Sequence, residues 1–161
     1  MDPVEETRPE TTSFFELLVE ATPRFFVTTV LVSLNVGYFL TMLLMGASVL
    51  MPESTYLLGL GANFGPLTIT GQWWRLATSM FVHIGLIHLL FNMWCLWNLG
   101  SLAERMFGNW TYVAIYLLSG IGGSLASLFW NPGIISAGAS GAIFGMAGAL
   151  VAFLYLGHIH V

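Results

Sequence analysis

WTYVAIYLLSGIGGSLASLFW, residues 110–130, contains no charged side chain and is bounded at each end by a tryptophan. The stretch reads as a single helix. At about 1.5 Å of rise per residue, Trp110 and Trp130 lie about 30 Å apart, so each indole sits at one face of a bilayer's hydrocarbon core. Working outward, the remainder of the chain has the same character. Of 161 residues, 57% are hydrophobic and 7% charged, and the mean hydropathy is +0.81. Soluble domains carry about 25% charged residues, so the composition places this chain in a membrane and its fold among all-α polytopic membrane helix bundles.

Three further apolar segments complete a set of four spans. The first runs from about residue 25 to 50 and is closed by Pro52, the second covers about 84–103, and the fourth runs from about Ser140 to Gly157. Residues 1–12 are acidic and read as a disordered tail. Ser13-Phe14-Phe15-Glu16 fits a capping box opening a short interfacial helix that ends before Pro23. The chain thus divides into 1–23, tail and interfacial helix, and 24–161, a membrane domain. No basic n-region of a signal peptide stands at the start, so the N-terminus is expected to be retained. The connection 51–81 holds Gly59, Gly61, Gly65, Pro66 and Gly71 among many apolar residues. It is expected to fold against the bundle and dip into the lipid edge without forming a continuous helix.

Charge narrows the function classes. The four cations are Arg8, Arg24, Arg75 and Arg105, against a net charge of −4, which offers no basic face for nucleic acid. Cys95 is the only cysteine, excluding an intrachain disulfide or a cysteine-cluster metal site. With four crossings, Arg8, Arg24 and Arg105 fall on one side and Arg75 on the other, which favours a cytoplasmic N-terminus. The second and fourth spans then both begin at the outer face, putting His83, His88, Asn92 and Ser140 at one depth in the outer leaflet.

Polar groups at that depth are expensive and mark functional sites. His88 and Asn92, four apart, point to the same neighbour. Ser140 sits in Gly138-Ala139-Ser140-Gly141 at a helix start, where unpaired backbone N–H groups favour developing negative charge. Gly138 and Gly141 permit a tight turn and close approach. These parts suit acyl transfer by a serine. Ala137, Gly141, Gly145 and Ala149, and Ser119, Gly123 and Ser127, form small-xxx-small packing surfaces. Trp73 and Trp74 read as interfacial anchors, and Glu104 as a cap or helix tie. No metal site or cofactor is expected: His158 and His160 lie on nearly opposite helix faces, and neither a carboxylate nor a cysteine joins His83 and His88.

Several motifs together resemble those of the rhomboid intramembrane serine proteases. They are Trp74-Arg75, His83-x4-His88-x3-Asn92, Gly100-x3-Glu104-x3-Gly108, Tyr116-Leu117-Leu118-Ser119-Gly120 with Gly122-Gly123-Ser124, and Gly138-Ala139-Ser140-Gly141. The resemblance covers about residue 25 to the C-terminus. It implies a six-span core, four spans of which are present, that cleaves transmembrane segments of other proteins in the bilayer. It further implies that Ser140 is the nucleophile, that His88, Asn92 and the Ser140 N–H form an oxyanion hole, and that His83 lines the same cavity. The family's general-base histidine comes from a sixth span, beyond Val161. His158 lies about 27 Å along the helix from Ser140 and cannot replace it. The polypeptide as written is therefore expected to be inactive as an endopeptidase. The alternative is a non-catalytic relative that binds membrane helices, as inactive rhomboids and derlins do.

Overall fold

The computed structural model of the protein describes residues 14–22 and 24–159. The tail 1–12, Ser13 with its capping interaction, Pro23 and His160 lie outside these residues. Among the described residues, eight helices follow one another. They are α1 (Phe14–Ala21), α2 (Val27–Leu44), α3 (Ser54–Gly59), α4 (Gly65–Thr68), α5 (Arg75–Thr78), α6 (Leu86–Phe107), α7 (Asn109–Trp130) and α8 (Ser140–Ile159). By length and composition α2, α6 and α7 can cross a membrane, and α8 adds a fourth apolar helix starting at Ser140.

α2 ends earlier than the hydropathy pattern suggests, at Leu44 rather than near residue 50. Gly46 adopts φ +95°, its N–H donates to Leu43 O, and the Ala47 N–H donates to Met42 O. This pair of reversed bonds is a Schellman stop, which apolarity does not reveal and which a glycine in the left-handed region makes possible. The next residues turn back to meet α6, whose Leu86 N–H donates to Val49 O.

At the opposite end, buried Glu104 ties α6 to α2. Its carboxylate accepts from the N–H groups of Phe26 and Val27 at 2.8 and 2.7 Å through Oε1, and from Thr28 at 2.7 Å through Oε2. An anion at a helix start satisfies orphan donors and opposes the helix dipole, which is how a carboxylate with 0% exposure persists here. Beside it the Thr28 hydroxyl donates to the Tyr112 hydroxyl at 3.2 Å. The hydroxyl of Thr22, just after α1, donates to Arg105 O at 3.1 Å, and α1 packs on α6.

α7 and α8 pack backbone to backbone through the small residues anticipated from their spacing. A Cβ at Gly123 would lie 2.9 Å from the Gly141 Cα, and one at Gly145 would lie 2.2 Å from the Ser119 Cβ. The long connection folds into α3, α4 and α5 against this core, with Met80 packed onto Gly120. Arg75, 5% exposed, holds it together: Nη1 donates to Leu58 O and Ala62 O at 2.8 and 2.9 Å, and Nε donates to Gln72 Oε1 at 2.7 Å. Its guanidinium lies over the Trp74 ring at 4.7 Å. Trp73 is exposed.

Candidate active site

One residue, Gly108, separates α6 from α7, so these helices run in opposite directions. The turn at residues 131–139 reverses the chain again, and α8 starts at the same end as α6. Contacts bear this out: a Cβ at Gly138 would lie 2.6 Å from the Cε1 and 3.1 Å from the Nε2 of His88. The imidazole therefore lies directly over the glycine two residues before Ser140. Only a residue without a side chain fits, and Gly138 also adopts φ +117°.

His88 is in the first turn of α6, where Nδ1 accepts the N–H of Ile84 at 3.4 Å. Its ring proton is thereby assigned to Nε2, the nitrogen nearer Gly138, which makes that nitrogen a donor. One turn on, Asn92 is 3% exposed and its Nδ2 donates to His88 O at 2.9 Å. One amide hydrogen remains on that nitrogen for another acceptor. His83 is fully buried, and its ring centroid is 5.5 Å from that of His88. Its Nδ1 lies 3.2 Å from Phe81 O, so it donates there and leaves Nε2 as an acceptor with no partner among the described residues. Desolvation lowers its pKa to about 4, outweighing the opposing effect of the Phe81 carbonyl, so the ring is neutral at physiological pH.

Ser140 is the first residue of α8. The Ile143 N–H bonds back to Ala139 O, so the amides of Ser140, Gly141 and Ala142 precede the helical ladder. Half-buried Ser140 lies on the border of two cavities. One, of about 370 Å³, is an apolar groove between α6 and α8 lined by His88, Asn92, Cys95, Ser140, Ile143 and Phe144 among others. The other, of about 250 Å³, is lined by Ser79, Ser124, Ser127, Ser136, Gly138 and Ser140 among others. Its serines make it a place where water can be held. The residues singled out from sequence thus converge: His83, His88, Asn92, Gly138 and Ser140 share one end of the bundle. Gly141 lies beside them with its Cα against Gly123.

The rhomboid domain family model matches residues 70–161, more than half of the chain. This chain belongs to the rhomboid family. It is 50% identical over 95 residues to the rhomboid protease GluP of Bacillus subtilis, a match covering 59% of this chain and 18% of that protein. It is 37% identical over 142 residues to the rhomboid protease AarA of Providencia stuartii, covering 79% and 50%. To RHOMBOID-like protein 7 of Arabidopsis thaliana it is 42% identical over 106 residues, covering 65% and 34%. The rhomboid chain described here thus spans half or less of the length of each of these relatives. Family membership together with the apolar helices makes it an integral membrane protein.

Sequence reasoning missed the polar set that supports this rhomboid site. Buried Asn63 pairs with Ser136 through reciprocal backbone bonds of 2.9 Å, and the Ser79 and Ser124 hydroxyls meet at 3.1 Å. The Gly138 N–H donates to Ser79 O at 2.9 Å. A usable signal was present: Asn63, between Ala62 and Phe64, interrupts apolar surroundings much as Asn92 does.

Proposed function

We propose that the protein is an intramembrane serine endopeptidase that hydrolyses a peptide bond in a transmembrane segment of another membrane protein. The observation carrying this reading is that Ser140, the His88 donor and Asn92 line one apolar groove, while the same serine borders a polar cavity. A client segment unwound in the groove would present its scissile carbonyl to Ser140. The Ser140 Oγ adds to the carbonyl carbon, and its proton passes to a general base. The carbonyl oxygen gains the negative charge, accepting hydrogen bonds from the Ser140 N–H, His88 Nε2–H and Asn92 Nδ2–H. Collapse releases the amine half of the client, protonated by the base. Water from the serine-lined cavity then cleaves the acyl-enzyme and regenerates the hydroxyl. Each donor in such a hole is worth about 3–4 kcal/mol of transition-state stabilisation.

Neither histidine beside Ser140 is suited to be the base. His88 carries its proton on the nitrogen nearer the site, and burial leaves His83 too weakly basic to take the serine proton at neutral pH. By family resemblance the base is a histidine of a later span. We further propose that the N-terminus is cytoplasmic and the site faces the outer leaflet. Burial of Arg75 against backbone carbonyls supports this topology, because it removes the single opposing charge from the count. The test is labelling of the full-length protein by a serine-directed fluorophosphonate. Labelling that is lost in Ser140→Ala, alongside Ser140-dependent cleavage of a membrane substrate, is expected. A protein that binds membrane helices but never labels is the non-catalytic alternative.

A further inference from the structure

The geometry points to Asn63, in the connection between α2 and α6, as a positioning residue that holds Ser140 at its reacting geometry. This rests on the reading of Ser140 as nucleophile. Asn63 is 0% exposed, in a segment whose neighbours are apolar. Its side chain is spent on two other elements: Nδ2 donates to Ser124 O of α7 at 3.0 Å and to the Ser136 hydroxyl at 3.4 Å. Its Oδ1 accepts from the Thr68 hydroxyl of α4 at 2.8 Å, which orients the amide. Its backbone pairs with Ser136 in both directions, each bond 2.9 Å.

Ser136 opens the five-residue run that ends at Ser140. The run is pinned again at Gly138, whose N–H donates to Ser79 O. Upstream, the Gly65 N–H donates to Pro132 O at 2.9 Å, so the 131–139 turn lies along the connection at three points. The approach at Gly65 is so close that a Cβ there would stand 2.5 Å from the Pro132 oxygen. Among these anchors Asn63 is the one whose side chain joins α4, α7 and the serine turn together. The turn also bounds the cavity of about 250 Å³ beneath Ser140. Without this clamp, the 131–139 turn can shift toward that space. Catalytic geometry tolerates little of this, since misplacement by about 1 Å can cost about 100-fold in rate.

Asn63→Ala in the full-length enzyme tests the proposal, with fluorophosphonate labelling of Ser140 and substrate cleavage measured per folded molecule well below the thermal midpoint. Labelling and kcat are expected to fall at least tenfold with KM within about twofold of wild type, because the apolar groove that binds the client is untouched. A role confined to stability would lower the midpoint and leave kcat per folded molecule unchanged, and that result overturns the proposal. Should Asn63→Ala not fold, Ser136→Ala and Thr68→Val, each removing one side-chain partner, decide instead. A severalfold fall in kcat in both supports the clamp, and any other result refutes it. Wild type that fails to label, or labels equally in Ser140→Ala, would refute the nucleophile assignment, a failure distinct from normal labelling in the Asn63 variants.

Discussion

Gly138→Ala is the sharpest test of the oxyanion arrangement. The added methyl would stand 2.6 Å from the Cε1 of His88, so the imidazole must retreat by roughly 0.8 Å to restore ordinary contact at 3.4 Å. A displacement of this size in a group that must donate to an oxyanion is expected to lower the acylation rate about 100-fold, or about 2.7 kcal/mol. Holding alanine at φ +117° adds a stability cost of about 1–3 kcal/mol. The assay is the rate of fluorophosphonate labelling by full-length protein at a temperature where the variant remains folded. A double-mutant cycle with His88→Ala isolates the cause. If the methyl acts through the ring, Gly138→Ala adds little on top of His88→Ala. Labelling within threefold of wild type, or fully additive effects, would refute the reasoning.

Four further outcomes follow from contacts elsewhere in the fold. Glu104→Gln replaces one acceptor facing the start of α2 with a donor, and should lower unfolding free energy in detergent by about 2–4 kcal/mol while leaving labelling of the folded fraction unchanged. Gly145→Ala, whose methyl would meet Ser119 at 2.2 Å, should cost about 1–3 kcal/mol by overpacking α7 against α8. Gly148→Ala, with nothing within 4 Å, should be close to neutral in the same melt. His83, with a folded pKa of about 4 against 6.5 when exposed, is neutral in the folded state where the unfolded chain already binds a proton. Stability should therefore be at its full value above pH 6.5 and decline as pH falls towards 4, by on the order of 3 kcal/mol in all. Unfolding curves at pH 7.5 and 5 check this, and His83→Asn should reduce the dependence.

The distribution of apolar residues by itself determined the class and the number of long helices. Bilayer burial requires runs of about 20 apolar residues whose backbone bonds close internally, and such runs are legible one residue at a time. Counting crossings was enough to bring His88, Asn92 and Ser140 to the same end, because alternate helices must start on the same side. Small residues at intervals of four likewise disclosed the α7–α8 contact, where the Gly123 and Gly141 backbones meet. What tertiary structure alone decided depends on pairs of residues far apart in the chain. The premature stop of α2 at Gly46, the partners of Glu104 across more than 75 residues, and the burial of Arg75 are examples. So is the clamp of Asn63 on Ser136. A polar side chain in an apolar segment announces that it needs a partner, but the energetic requirement is met equally by any donor or acceptor the fold delivers. Only the packed chain specifies which one arrives, and therefore which residues hold the serine in place.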